Sequence, residues 1–338
     1  PNKKQIFAPA DVIMIDIPTS RPNTWFDPSQ SYLKFSVQCQ SASAYTTTPG
    51  GEGIYVDNTA YSFFQRLDTY SGSNMLETIS AYGSLCNANL DVLLTQSDKQ
   101  GMSSMCGTNN STVAVNAQST YAQYNKATVV QQGGDRSGLA LSSNTSFSTA
   151  PTYTFALGLL SGTVGVNASK MIPVGNLKAP ISLQLYTANN DDAIFYSTGT
   201  SVVWQIVNVE FIATYVEILS DELNLHMEPG IPYYISTTSW RMSSFNIPAS
   251  SSGENTALLA FRCVSLKNIL ARFRNCSSNA QGGATSAYRL GSSVNPALSY
   301  YYFKIGSQQY PNKPVYLYNN NLVSGGAEGY AELLKSLH

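Results

Sequence analysis

Tyr32-Leu33-Lys34-Phe35-Ser36-Val37-Gln38-Cys39 is the stretch that decides the class of fold. Leu33, Phe35 and Val37 alternate with Lys34, Ser36 and Gln38, and a period of two puts one side of a strand into a core and the other outside. Upstream, Asp11 to Ile17 alternates less perfectly through Val12, Ile13 and Ile15. Between the two runs, Arg21-Pro22-Asn23 and Asp27-Pro28-Ser29 are turn chemistry, and Thr48-Pro49-Gly50-Gly51-Glu52-Gly53 marks a flexible loop downstream. Tyr61 to Tyr70 follows as a strand, closed by Ser71-Gly72-Ser73-Asn74, with Met75 to Ile79 as its partner.

From Ala81 to Leu94 the apolar residues Tyr82, Leu85, Cys86, Leu90, Leu93 and Leu94 fall nearer the helical period, so one helix is expected there. Thr95 to Thr149 is dominated by Ser, Asn, Gln, Thr and Gly and reads as a long exposed excursion, with Val113 to Val115 and Thr128 to Val130 as its apolar anchors. Strand character returns at Tyr153 to Leu160, Ile181 to Tyr186, Val202 to Ile206 and Val209 to Ile218, the last apolar enough to be covered on both faces. Asn189-Asn190-Asp191-Asp192 supplies a turn. Ser220-Asp221-Glu222 opens a short helix that Pro229-Gly230 ends, a natural connector between two domains. Beyond it, Tyr233 to Ser239, Ala257 to Phe261, Ile269 to Phe273, Tyr300 to Ile305 and Pro314 to Tyr318 read as a second set of strands, and Ala327 to Leu337 as a final helix. The expected class is therefore all-β with few short helices, divided as 1–219, carrying the polar loop 95–149, and 220–338.

Composition narrows the function. The 338 residues are 43% hydrophobic, enough for a sizeable core, yet 12% charged, about half the usual share. Tyrosine is abundant at 22 residues. A surface poor in charge and rich in Tyr and amides suits contact with neighbours, because Tyr offers a large rigid area and a hydroxyl that finds a partner. The net charge of −1, with Lys3-Lys4 as the basic cluster near a terminus, gives no Arg-rich arm to neutralise phosphates, so direct nucleic-acid binding is not expected. No run of about 20 apolar residues is present to span a membrane, and no secretory leader is visible. Cys39, Cys86, Cys106, Cys263 and Cys276 are odd in number and share no CxxC spacing, which reads as buried or incidental thiols in a reducing compartment. The sequons at Asn109, Asn110, Asn144, Asn167 and Asn275 are background in a chain this rich in Asn, Ser and Thr.

Catalytic chemistry is not advertised. The two histidines are His226, flanked by Leu225 and Met227 in the connector, and His338; a structural role for His226 fits better than a triad. No Cys, His or carboxylate pair stands at finger or HExxH spacing, so no metal is expected. The acidic pairs Asp191-Asp192 and Asp221-Glu222 are explained by a turn and a helix start before a glycosidase pair. Gln131-Gln132-Gly133-Gly134-Asp135 and Gln281-Gly282-Gly283-Ala284 lack the spaced glycines and the Lys-Ser/Thr of a phosphate loop. Arg262, Lys267, Arg272 and Arg274, interleaved with Phe261 and Phe273, read as the solvated or interfacial face of strands before a nucleic-acid patch. No catalytic, cofactor-binding or metal residue is assigned, and the chain is expected not to be an enzyme.

Trp25-Phe26-Asp27-Pro28 with Ser31-Tyr32-Leu33-Lys34-Phe35, and then Ala60-Tyr61-Ser62-Phe63-Phe64-Gln65-Arg66-Leu67-Asp68-Thr69-Tyr70, resemble the opening strands of double jelly-roll major capsid proteins of DNA viruses, in the polinton-like, adintovirus-like and virophage-like lineage. Val207-Asn208-Val209-Glu210-Phe211 resembles the strand closing the first roll. Asn295-Pro296, Tyr302-Phe303-Lys304-Ile305-Gly306-Ser307, Pro311-Asn312-Lys313-Pro314-Val315 and Tyr330-Ala331-Glu332-Leu333-Leu334-Lys335 resemble a region inside the second. The resemblance implies two jelly rolls side by side, homotrimers forming pseudo-hexagonal capsomers of an icosahedral shell, minor capsid or penton proteins as further partners, and assembly inside the host cell into a virion. It brings no catalytic residues. The second set of strands stops earlier than the family pattern, which leaves three alternatives: a portion of a longer chain, a reduced second roll, or a single roll with a long extension. The competing reading is a receptor- or glycan-binding β-sandwich of a fibre or spike.

Overall fold

Runs rich in β-branched and aromatic residues become strands when a neighbouring run supplies hydrogen-bond partners, and many of the described runs before residue 218 meet that condition. The computed structural model describes residues 5–19, 23–46, 54–108, 137–166, 168, 170–196, 201–217, 233–248, 253–261, 263–273, 298–317 and 327–337. Its strands are β1 (Ile6–Phe7), β2 (Val12–Ile17), β3 (Thr24–Ser41), β4 (Ile54–Asp57), β5 (Phe64–Ser71), β6 (Asn74–Ser80), β7 (Ser137–Leu141), β8 (Ser143–Asn144), β9 (Tyr153–Gly158), β10 (Ile181–Thr187), β11 (Ile194–Tyr196), β12 (Val202–Glu217), β13 (Tyr300–Ile305) and β14 (Gln308–Tyr316). The helices are short: α1 (Tyr82–Leu93), α2 (Gln96–Gly101), α3 (Ser103–Cys106), α4 (Asn190–Ala193) and α5 (Ala327–Leu337). The protein is mostly β with few short helices, as its alternation predicts.

Two sheets face each other. One runs β1-β12-β3, with β9 and β8 sharing the far edge of β3; the other runs β2-β10-β5-β6. Taking β1, β2, β3, β5, β6, β9, β10 and β12 as first to eighth, the orders are first-eighth-third-sixth and second-seventh-fourth-fifth. That is the jelly roll, two Greek keys wrapped into a sandwich. Four connections cross between the sheets at one end, 8–11, 42–63, 81–152 and 188–201. Hydrogen bonds from Ala10 N to Ala188 O and from Ala188 N to Phe63 O tie three of them together. Three of them also contribute the strands of a small third sheet, β11-β4-β7, which caps that end. At the opposite end lie 18–23, 72–73 and the long connection 159–180, where Gly72 N donates to Pro180 O.

The core fills the space between the sheets. Ile13, Ile17, Leu33, Phe35, Val37, Leu67, Phe155, Leu183, Leu185, Trp204 and Ile206 are all buried, each from the inward set of an alternating strand. Phe35 packs edge-on against Phe64 with ring centroids 5.1 Å apart, and Phe63 against Trp204 at 5.0 Å. Geometries of this kind add to the burial of the rings themselves.

Several expectations change. The strand expected from Tyr61 begins as a 3-10 turn, Ala60–Phe63, held by the Thr59 side chain, and extends only from Phe64. Asp27-Pro28-Ser29 makes no break: it lies inside β3, where pairing jumps from Asp27↔Thr214 to Tyr32↔Ile212, so the extra residues bulge out and Pro28 needs no ladder donor. Val202 to Ile206 and Val209 onward form one strand, bent at the register shift between Val207 and Glu210. Its distal part is not covered on both faces, since Tyr215 and Val216 stay over a third exposed. The polar excursion includes α2, α3, β7 and β8 among its described residues.

After the roll, β13 pairs with β14 and α5 follows at the expected helix. Tyr233 to Ser239, Ala257 to Phe261 and Ile269 to Phe273 are not strands: those stretches are irregular and mostly exposed. Alternation supplies a face, but a ladder also needs a neighbour, and among the described residues none pairs with them. The connector helix expected at Ser220 and the Gly-rich loops at 131–135 and 281–284 lie outside the described residues.

Candidate functional site

Inside the sandwich, the buried phenols are hydrogen-bonded and the buried thiols are held in their protonated form. Tyr61 Oη donates to Gly158 O at 2.6 Å, and Tyr82 Oη accepts from Leu160 N at 2.8 Å. Burial raises both phenols well above their ordinary range. It also pushes the Cys39 thiol up to about 12 and that of Cys106 to about 11, and raises Cys86 further. These thiols stay protonated at neutral pH, the opposite of an activated nucleophile. Cys263 is exposed, unlike the three buried thiols.

The other singled-out residues are dispersed. His226, His338, Arg262, Arg274, Asp221, Glu222 and Cys276 lie outside the described residues. Asp191 and Asp192 stand in the short helical turn α4, where the sequence predicts a turn, and Asn189 Nδ2 donates to Asp192 Oδ2 at 2.9 Å. Arg272 reaches back to the roll, its Nη1 donating to Ser84 O at 2.6 Å and Ser84 Oγ at 3.0 Å, so it docks a chain segment on α1. Among the described residues no three His, Cys, Asp or Glu side chains are grouped as metal ligands.

The sandwich faces are more informative. On the outer side of the first sheet, Gln205 Nε2 donates to Gln38 Oε1 at 2.9 Å, and Gln38 Nε2 donates to Thr152 Oγ1 at 3.0 Å. Ser36 and Thr154 hydroxyls share a 2.9 Å bond, and Gln40 Nε2 donates to Thr145 O at 2.8 Å. Lys34 and Glu210 form an exposed ion pair at 3.0 Å in the same face. Ile6, Tyr32 and Val203 stand exposed among them. On the second sheet, Arg66 makes a bidentate pair with the fully buried carboxylate of Asp68, which also accepts from Thr78 Oγ1 at 2.6 Å. The Arg66 guanidinium lies 4.8 Å from the Tyr186 ring centre. Polar side chains paired laterally in this way can be covered by a partner without leaving buried donors or acceptors unmet.

Each end of the roll carries a buried polar network. At the capped end, Thr59 Oγ1 donates to Asn87 Oδ1, Asn87 Nδ2 to Ser62 Oγ at 2.7 Å, and Asn58 Nδ2 to both Asp91 oxygens at 3.1 Å, while Lys99 pairs with Asp91 at 2.9 Å. At the other end, the buried Glu77 carboxylate accepts from Ser161 Oγ, from Gly162 N at 3.2 Å and from Thr163 Oγ1 at 3.2 Å. Sequence reading passed over Glu77, because a lone Glu in an apolar alternation has no spacing signature; its inward register, opposite Thr69, marks it only once the sheet is formed.

These features define a jelly-roll sandwich with a filled interior and charge-poor, laterally paired faces. No family model and no curated protein matches the sequence. Among solved structures, "PBCV-1 virus capsid, quasi-atomic model" is similar at 9% identity with a TM-score of 0.32, covering 65% of this chain and 42% of that one. "Crystal Structure of the STIV MCP" is similar at 12% identity with a TM-score of 0.27, covering 67% and 50%. "Crystal structure of PBCV-1 VP54 fitted into a cryo-EM reconstruction of the virophage Sputnik" is similar at 10% identity with a TM-score of 0.30, covering 65% and 42%. The chain thus spans half or less of the length of these structures.

Proposed function

We propose that this chain is a structural, non-enzymatic subunit of a viral capsid, self-associating as homotrimers that tile an icosahedral shell through two jelly rolls side by side, with minor capsid or penton proteins as further partners. The observation that carries the reading is the strand order of the roll, combined with an interior packed by Phe35, Phe63, Phe64, Phe155 and Trp204. Rings occupy the volume in which a jelly-roll binding protein or enzyme holds its ligand, and that leaves the outer faces and loops to do the work. The paired, charge-poor faces suit burial against neighbours. Of the segments that resemble double jelly-roll capsid proteins, Trp25 to Phe35 lies in β3, Phe64 to Tyr70 in β5 and Val207 to Phe211 in β12, strands of the sandwich, whereas the described part of those assigned to the second roll lies on β13, β14 and α5. A virion location, with assembly in the host cell, goes with this reading.

Light scattering of the full chain, followed by negative-stain imaging, tests it. Particles of three times the 36.5 kDa chain mass, or hexagonal arrays, are the expected result. A monomer at every concentration that also binds glycans in a screen overturns it in favour of a receptor-binding sandwich.

A further inference from the structure

The irregular segment 233–240 lies against the uncapped end of the roll, held there by several contacts. Tyr233 meets Trp25 edge-on, with ring centroids 5.7 Å apart and planes at 86°. Lys170 places its ammonium 5.5 Å from the Tyr233 ring centre and donates to Tyr234 O at 3.3 Å. Ile235 and Trp240 pack on the core of the roll. Between them, Thr238 crosses the connection 159–180 at Gly162, so closely that a methyl group built on Gly162 would overlap the Thr238 carbonyl.

Gly162 is informative because its other constraints are absent. Its φ lies outside the left-handed region, and the three atoms nearest to a methyl group there all belong to the Thr238 backbone. Gly165, three residues on, would instead strike the carbonyls of Leu159 and Ser161 in its own loop. Glycine at 162 is thus required by the visiting segment and not by the loop's own conformation. Glu77 supplies the rigidity this needs: by accepting from Gly162 N and the hydroxyls of Ser161 and Thr163, its buried carboxylate fixes the loop that Thr238 must approach.

We infer that the uncapped end of the roll is a peptide-docking seam, formed by Trp25, Lys170 and the Glu77-seated Gly162, whose resident is the chain's own segment 233–240 held as a separable strap. The strap has no strand pairing and is largely exposed apart from its anchors. A segment so held opens by local release, with the roll's core intact.

Tryptic cleavage after Arg241, followed by mass spectrometry on the full chain alongside calorimetry of the roll, tests the inference. Gly162→Ala and, from the strap side, Tyr233→Ala are each expected to speed cleavage at Arg241 roughly tenfold or more, because proteolysis follows the open population, while leaving the melting temperature of the roll unchanged. Unchanged cleavage in both variants overturns the seam. A fall in melting temperature that tracks the faster cleavage overturns separability, since strap and roll would then be one cooperative unit.

Discussion

Thr69 is fully buried on the inner side of β5, and its Oγ1 is the buried side-chain oxygen without a hydrogen-bond partner among the described residues. Desolvating a hydroxyl without a compensating bond is unfavourable, so Thr69→Val, which keeps the shape, should raise stability in urea by about 1 kcal/mol; a loss of that size would mean the hydroxyl has a partner in solution. Thr59 is the opposite case, accepting from Tyr61 N while donating to Asn87, and Thr59→Ala should cost about 1–2 kcal/mol by the same assay. The thiols give a pH dependence of definite sign. Unfolded, they titrate near 9, whereas the fold holds Cys39 near 12 and Cys106 near 11. The native state therefore keeps protons that the unfolded chain releases. Their contribution is complete below pH 9 and is lost as pH rises through these values, at up to about 1.4 kcal/mol per unit for each thiol. Urea titrations between pH 8 and 11 should show that decline, and replacing Cys39 with Ala should flatten it. Peptide-level alkylation of the native protein should label Cys263 and spare Cys39, Cys86 and Cys106.

Elements became legible from the sequence wherever a single strand or helix carried its own signature. The alternation in β2, the middle of β3, β9 and β10, and the helical spacing in α1 and α5, needed no knowledge of neighbours. What could not be read was set between elements. Asp27-Pro28-Ser29 has the chemistry of a turn, yet β12 pairs on both sides of it and turns it into a bulge. Tyr233 to Ser239 has the alternation of a strand, yet its contacts are side-chain anchors and a close backbone crossing. Glu77 was silent for the same reason, its meaning coming from a loop more than eighty residues away. Gly83 is another such position. A methyl group there would lie 2.5 Å from Tyr61 O and 2.9 Å from Phe64 O, where α1 packs on the 3-10 turn. Helix propensity favours alanine by up to about 1 kcal/mol, whereas overpacking typically costs about 1–3 kcal/mol. Packing should win, so Gly83→Ala is expected to lower the denaturation midpoint without changing the urea m-value. A rise in the midpoint would mean that α1 can move away from the turn.

At the scale of the whole molecule, the outer face of the first sheet decides between a subunit built to be covered and one built to stay in water. Gln205, Gln38 and Thr152 form a hydrogen-bonded row across three neighbouring strands or their ends, flanked by the Ser36–Thr154 pair and by exposed Val203 and Ile6. In solution such a row gains little, since water would serve each amide equally well. Under a partner it removes the penalty of burial, because its members bond to one another. Gln38→Glu separates the two cases. The carboxylate can still accept from Gln205, but it cannot donate to Thr152, and it puts a charge without a cationic neighbour in the row. At this half-buried position, still reached by water in the monomer, that change should alter stability by no more than about 1 kcal/mol. Buried in the assembly proposed above, an unpaired charge costs several kcal/mol, so the assembled fraction by light scattering should collapse while the melting temperature changes little. A variant that assembles like the parent would place this face on the outside of any particle and move the contact to the Arg66–Asp68 face, where Arg66→Ala should then be the disruptive change.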